Sequence, residues 1–527
     1  VSEQNAERAV SDEQLVRDLL QPSAYPWPVD QVEHLETHIS RIFFAADRVI
    51  KLKRPVAYGF VDHLRLESRR RSCHDEVRLN QRLSDDIYLA CEPITIKNGA
   101  AGLGGTGEPI EYATVMRRLP ADAMLDTVLT SGVRPERLAE RLAERLIPFH
   151  RNAAHCSGDV TQQAASAEAI LRENLDEIAE ISSPAIFANE FAAIRDAVRG
   201  FLDRHPEAIV DRARGGWIRE GHGDLKCEHV TLDPPGALQI YDCVEFNIDI
   251  RCADIASDLA FLLLDLERLQ AGDVAAELVQ RYREAGLDLP DAMLTLYRAH
   301  RALVRVKVGG LTAAHASDPA DVVSAARDSA FWLHRATAAV FAPKPAIIAL
   351  SGFSGVGKSV VATAIADALD APVLATDRLR REQPALPDRY DPDNRLAIYR
   401  VMIERAGQLL QAGSPVILDG AFLRPEERNL AAGLAAACNV PLIFAEVVAD
   451  ASVIDRRIRA RAQSPGSTAS EATLAVLQAQ REEARATPTL WPETAAVATI
   501  DTSAETPASI DPLLHEFHRL GLLRSRI

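Results

Sequence analysis

Two sets of residues in this chain have the types and spacing that moving a phosphoryl group requires. The more compact is Gly352-Phe-Ser354-Gly355-Val356-Gly357-Lys358-Ser359-Val360, in the spacing G-x-x-x-x-G-K-S. Glycines at these positions let successive backbone N–H groups curl around phosphate oxygens, and a helix opening at Lys358 adds its partial positive charge. Lys358 is placed to reach the β- and γ-phosphates, and the Ser359 hydroxyl to hold Mg²⁺. The uninterrupted apolar run Ala346–Leu350 before the loop reads as a buried parallel strand, and Val360–Ala366 after it as a helix. This part of the chain is expected to bind ATP with Mg²⁺.

Further carboxylates and arginines follow in order. Asp377 ends the short apolar run from Ala371, and Arg380 and Arg381 come within a turn of it. In open α/β sheets ligands gather at the carboxyl ends of strands, so Asp377 should face the nucleotide. Asp419 ends Pro415-Val-Ile-Leu-Asp419, a second such strand suited to a Mg²⁺-bound water, and Arg428 starts the next helix. Arg456, Arg457, Arg459 and Arg461 precede the small polar loop Ser464-Pro-Gly-Ser-Thr, as a closing lid requires. Residues 346–527 resemble the small P-loop kinases that include gluconate kinase, chloramphenicol phosphotransferase, the zeta toxins and the kinase part of polynucleotide kinase. The resemblance implies that Asp377 accepts the proton of an acceptor hydroxyl and that Arg380, with Arg381 and Arg428, faces the acceptor. It further implies that Arg457 and Arg461 are lid arginines on the transferring phosphate.

The other set is dispersed through the first 340 residues. Lys51 and Lys53 lie on one strand and face the same side, because strand period is two. Glu76 lies on a downstream helix, His222-Gly-Asp224-Leu-Lys226-Cys-Glu228-His229 forms a loop, and Asp242 ends the strand after it. A lysine steadied by a helical glutamate, one Asp toward the acceptor and one Asp on Mg²⁺ are the parts of a kinase site. Residues 31–330 resemble the aminoglycoside phosphotransferase/choline kinase group, relatives of the protein kinases, most strongly over 222–267. The resemblance implies Asp224 as the base, Asp242 as a metal ligand, and Lys51 as the phosphate-binding lysine with Glu76 as its partner. Lys53 is the alternative lysine. Asp254 and Asp258 are expected to cap and brace. One position departs from the family: His229 stands where a metal-binding Asn is usual, and imidazole is a poor ligand for Mg²⁺. That metal position is then missing, supplied by Glu228 or Glu245, or built for another ion. The turn Thr37–Ser40 replaces a glycine-rich loop.

The elements that must position these groups set the expected organisation. It is a 1–30 helical extension, a 31–118 kinase-like N-lobe, a 119–340 helical C-lobe, a 341–345 proline-bearing linker and a 346–527 P-loop kinase domain. The fold class is therefore an α+β protein-kinase-like, two-lobed domain followed by an α/β P-loop domain with a parallel sheet. Gly102-Leu-Gly104-Gly-Thr-Gly107 matches a dinucleotide-binding pattern, but strand-like runs flank it on both sides, so it reads as a hairpin tip. Arg69–Arg71 and the run Arg298, Arg301, Arg305 and Lys307 read as solvated surface, the latter alternatively as a docking face for an acidic acceptor.

The 527 residues are 47% hydrophobic and 25% charged with formal net charge −16, which disfavours broad attraction to nucleic acid or anionic membrane. Seven scattered cysteines without a C-x-x-C indicate neither a disulfide framework nor a zinc site. With no apolar run near membrane length and a polar N-terminus, a cytoplasmic protein is expected. The function expected is an ATP-dependent phosphotransferase with two nucleotide sites and a small-molecule hydroxyl acceptor. The alternatives are a kinase-like ligand sensor governing the P-loop domain, and a nucleic-acid end kinase. The acidic charge and 5% aromatic content argue against the last.

Overall fold

The structure, a computed structural model, describes residues 11–58, 61–181, 187–234, 237–316, 318–382, 392–463, 474–486 and 490–527. The chain forms two compact units, Val1–Glu168 with Glu207–Leu294, and Ala169–Pro206 with Thr295–Ile527.

In the first unit a six-stranded antiparallel sheet has the order Val32–Glu36, Ser40–Ala45, Arg48–Lys53, Pro109–Arg117, Tyr88–Lys97, Ala100–Leu103. Alternation along Arg48–Lys53 decides what each sheet face does. Ile50 and Leu52 join Phe43, Ala113 and Val115 in an apolar core completed by Leu15 and Leu19 of the helix Asp12–Leu19. Residues 12–29 thus cover the back of the sheet rather than extend from it, and Asp18 Oδ2 accepts from Ala101 N at 2.7 Å. Lys51 and Lys53 point the other way, toward the helix Leu66–Asn80. The buried positions of that helix, Arg69, Cys73, Glu76 and the pair Leu79 and Asn80, recur every three or four residues on one face. Arg69 falls on that face, so it is not solvated as expected: its Nε donates to Glu111 Oε2 at 2.7 Å. The decoy glycines open no helix, but they are not the hairpin tip expected. Gly102 lies within Ala100–Leu103, which pairs with Tyr88–Lys97 across a turn at Asn98 and Gly99, both at positive φ. Gly104–Gly107 lead on to Pro109–Arg117, which is not the neighbour of Ala100–Leu103 in the sheet. A helical lobe follows, built from the helices Leu125–Thr130 and Leu138–Asn152 and from those between Glu207 and Glu284, with the His222–His229 loop and short strands set in it. This is the kinase-like α+β arrangement anticipated. One correction concerns the cysteines: Cys156 and Cys252, 96 residues apart, form a disulfide. No local spacing could reveal a pairing across so long a stretch.

The second unit carries a five-stranded parallel sheet in the order Val373–Ala375, Val416–Asp419, Ile347–Ser351, Leu442–Val448, Ala495–Asp501. Both faces are covered. Ile348 and Leu350 enter one core with Ile365 and Ile500, while Ile347 and Ala349 enter the other with Tyr399 and Phe422. The compact units do not divide at 341–345: Phe341–Pro343 is itself a strand, paired antiparallel with Leu523–Ser525. The helices Ala188–Arg204 and Pro319–Val340 also belong to this unit. In Asp291–His315, Arg301 is buried, Arg305 lies over the Trp332 ring and Lys307 pairs with Glu177 at 2.7 Å, so this basic run is not a solvated face. Among the described residues no helix is long and apolar enough to cross a membrane.

Candidate active sites

In the kinase-like unit the strand Arg48–Lys53 and the helix Leu66–Asn80 bring two lysines onto one glutamate. Lys51 Nζ lies 2.7 Å from Glu76 Oε1 and 2.9 Å from Asp242 Oδ1. Lys53 Nζ lies 2.9 Å from Glu76 Oε2 and also pairs with Glu245 Oε1. Thr114, opposite Lys51 in the neighbouring strand, donates its hydroxyl to Glu76 Oε2 at 2.7 Å. Depth separates the lysines: the Lys53 side chain is 0% exposed and that of Lys51 15%. Burial works against an ionised Asp242, but nearby positive charge, the Lys51 ammonium foremost, outweighs it and holds the carboxyl far below the usual range. At Glu245 burial wins over Lys53 and pushes the carboxyl up.

Asp258 fixes the loop that carries Asp224. Its carboxylate accepts from His222 N at 2.7 Å, Gly223 N at 2.8 Å and His150 Nε2 at 3.0 Å. Asp254 caps the helix Ile255–Arg268 through Ala256 N at 2.9 Å and pairs with Arg212, so both residues cap and brace as expected. Gly223 sits at φ +86°, where a Cβ would press on Val244. Asp224 Oδ2 meets Lys226 Nζ at 3.1 Å, a contact the sequence reading did not anticipate although Lys226 stands two residues on in the same loop. His229 is brought to Asp242, with Nε2 3.5 Å from Oδ2, and Glu228 lies 3.8 Å from the same nitrogen. Glu245 is instead committed to Lys53. An oxygen at Asp242 suits Mg²⁺; the nitrogen at His229 does not.

The P-loop site lies at the carboxyl ends of the parallel strands. Gly352, Gly355 and Gly357 have φ of +143°, +86° and +102°. A Cβ on Gly352 would collide with the Val447 carbonyl oxygen, and one on Gly355 with Ile458. Lys358, first residue of the helix Lys358–Leu369, curls over the loop and donates to Gly352 O and Phe353 O, both at 2.9 Å. Ser359 Oγ donates to Asp419 Oδ2 at 2.9 Å, an all-oxygen pair that fits Mg²⁺. Burial raises the Asp419 carboxyl, opposed by Lys358 and the Ser359 hydroxyl. Val356 is buried, and Val360, in the first turn of that helix, is exposed. Ser354 N donates to Gln480 Oε1 at 2.8 Å, another contact that no motif announced.

The remaining residues divide by placement. Asp377 does not end the strand, which closes at Ala375; it is the second residue of the helix Thr376–Glu382 and pairs through Oδ1 with Arg380 Nη1 at 3.0 Å. Arg381 is in the same helix. Arg428 is 1% exposed, donates to Phe422 O and Leu423 O, and lies over the Trp491 ring. Arg457 donates to Val356 O at 3.2 Å and Thr502 O at 2.6 Å, which places it under the loop as a buttress. Arg461 is in the helix Ala451–Gln463, but its side chain lies outside the described residues, as does the loop from Ser464.

Residues 347–487 match the AAA domain family. The chain is 30% identical over 459 residues to Uncharacterized protein Rv2004c of Mycobacterium tuberculosis, covering 84% of this chain and 89% of that one. Among solved structures, a choline/ethanolamine kinase family protein from Mesorhizobium loti matches 62% of this chain and 94% of its own at 17% identity and TM-score 0.37. A gluconokinase from Sinorhizobium meliloti 1021 matches 34% and 96% at 22% identity and TM-score 0.25.

Proposed function

The chain belongs to the family of the mycobacterial protein Rv2004c, and from that premise we propose that it is an ATP-dependent phosphotransferase with two nucleotide sites. Each site moves the γ-phosphoryl group to a hydroxyl of a small molecule such as a sugar, aminoglycoside or nucleoside. The observation that carries the reading is the convergence of Lys358, Ser359 and Asp419 on the glycine loop, with the Asp377–Arg380 pair in the helix just beyond the strand Val373–Ala375.

At the P-loop, backbone N–H groups and Lys358 hold the phosphate tail and spread its charge. Mg²⁺, held by Ser359 and Asp419, supplies further charge neutralisation when bound. Asp377, oriented by Arg380, takes the acceptor's hydroxyl proton as that oxygen bonds to the γ-phosphorus and the bond to the ADP oxygen breaks. In the kinase-like unit Asp224 takes the proton, Lys226 brings positive charge beside it, and Lys51 on Glu76 binds the phosphates. Asp242 is the oxygen donor toward the metal. A second reading, with this unit as a ligand sensor that does not transfer phosphate, is favoured by one observation, the imidazole of His229 beside Asp242.

The test is a screen of sugars, aminoglycosides, nucleosides and oligonucleotides for ATP-dependent mass gain of one phosphate. Wild type, Asp224→Asn and Lys358→Ala are run side by side. Two sites predict that each variant loses a different product. Loss of all turnover in Lys358→Ala supports the sensor reading, and phosphate gain by oligonucleotides alone rejects a small-molecule acceptor.

A further inference from the structure

The nitrogen of His229 disagrees with the magnesium that the kinase resemblance implies, and the disagreement has a direction. His229 Nδ1 lies 2.8 Å from the backbone carbonyl oxygen of Asp224. A carbonyl only accepts, so Nδ1 carries the proton and Nε2 keeps a lone pair in the neutral ring. That lone pair belongs to the nitrogen 3.5 Å from Asp242 Oδ2. The separation exceeds an ordinary hydrogen bond. A closure of roughly half an ångström brings both atoms to the separation of neighbouring ligands about 2.1 Å from one octahedral ion. Asp242 Oδ1 is committed to Lys51 at 2.9 Å, so Oδ2 is the oxygen turned toward His229. A carbonyl on the far ring nitrogen is also the arrangement that orients a ligating imidazole.

Among the described residues no three His, Cys, Asp or Glu side chains converge on a cation. The pair therefore needs oxygens from outside the protein, and the phosphates of a bound nucleotide bring them. Mg²⁺ takes oxygen almost exclusively, whereas Mn²⁺ accepts carboxylate, phosphate and imidazole together. We propose that His229 Nε2 and Asp242 Oδ2 form a mixed nitrogen–oxygen cation site that prefers Mn²⁺ to Mg²⁺ when a triphosphate is bound. The proposal rests on the reading of the kinase-like unit as a nucleotide site.

The experiment uses the full chain carrying Lys358→Ala, with MnCl₂ and inorganic triphosphate, a probe that has no base nitrogen. Ser359 and Asp419 offer Mn²⁺ only oxygen, so a nitrogen signal cannot arise from that pair. Electron paramagnetic resonance counts free Mn²⁺ in competition with Mg²⁺, and its pulsed form detects a bound imidazole nitrogen. The expected result is a nitrogen coupling that His229→Asn abolishes, with the Mn²⁺ over Mg²⁺ preference falling about tenfold or more. Bound Mn²⁺ without nitrogen coupling overturns the proposal whether or not any variant folds, and so does an unchanged preference in a folded His229→Asn. If triphosphate fails to bind at all, the nucleotide-site reading falls and the cation site with it.

Discussion

Replacing Lys51 and Lys53 by methionine, one at a time, separates phosphate binding from stability. Lys53 is 0% exposed and is paired with Glu76 at 0% and Glu245 at 5%. Its removal leaves Glu245 buried without its cation, since Lys51 is already shared between Glu76 and Asp242. Breaking a buried pair by deleting one partner costs about 3–5 kcal/mol. Lys51 is different. Glu76 keeps Lys53 when Lys51 is lost, and the Asp242 side chain is 40% exposed, so water takes up much of that charge. The cost there is about 1 kcal/mol, at the upper end for exposed pairs. A charge-assisted contact to phosphate is worth about 1.5–3 kcal/mol, so Lys51→Met should weaken nucleotide binding roughly ten- to a hundredfold.

Because the chain has two compact units, one global transition is a poor measure of local damage. Hydrogen exchange over Ser40–Lys53 reads the affected sheet directly, and nucleotide titration in a Lys358→Ala background isolates the kinase-like unit. The expected pattern is loss of protection in Lys53→Met with little change in Lys51→Met, and loss of binding in Lys51→Met with its protection intact. Equal loss of protection in both variants would refute the depth argument. Intact binding in Lys51→Met alongside lost binding in a well-protected Lys53→Met would reassign the phosphate lysine.

Three other perturbations follow from the same contacts. Gly352→Ala places a Cβ against the Val447 carbonyl at φ +143°, and should cost about 1–3 kcal/mol and abolish nucleotide binding at the P-loop, measured by calorimetric titration. Burial disfavours an ionised Asp258, but His150 and the His222 N–H outweigh it, so its folded pKa is depressed. Its stabilisation is therefore present above the unfolded value near about 4 and is lost as pH falls; hydrogen exchange at 222–224 should accelerate in acid, and Asp258→Asn should flatten that dependence. At His334 burial favours the neutral ring but Glu190 at 2.9 Å outweighs it and raises the pKa. Its contribution is complete below about pH 6.5 and lost as pH rises through the folded value, so thermal scans at increasing pH should narrow the gap between wild type and His334→Gln.

What was legible in the sequence was what is contiguous in it. The glycine loop, Lys358 and Ser359 lie within eight residues, and Asp419 was identifiable because an apolar run ends on it. Asp224, Asp254 and Asp258 were legible through the resemblance to the phosphotransferase group, whose contiguous motifs they fall on. Lys51 and Lys53 could not be ranked, since strand period gives both the same face and depth is set by Asp242 and Glu245, about 190 residues away. Arg428 and Arg457 carry the same charge whether they meet a phosphate or a carbonyl, and only the fold shows them spent on Phe422, Val356 and Thr502. Gln480 lies in an ordinary helix and reaches the P-loop only through tertiary structure.

The connector shows why a composition change need not mark the edge of a folding unit. Pro343 and Pro345 suggested a stiff boundary, yet Phe341–Pro343 pairs with Leu523–Ser525 at the end of the chain. The helix Pro319–Val340 packs along the helix Lys358–Leu369 that begins at the P-loop lysine. On its other side His334 and Thr337 hold Glu190 at 2.9 and 2.6 Å. Asp511 in turn accepts from the backbone N–H groups of Asn189 and Glu190 at 3.3 and 3.0 Å. A helix stripe in sequence says that a face is buried, not against what. The helices 188–204 and 319–340 looked like the end of the kinase-like lobe because of where they fall in the chain. Their polar contacts tie them to each other and to the helix Asp511–Arg519 of the P-loop unit instead, since a buried carboxylate held by an imidazole and a hydroxyl cannot be exposed cheaply.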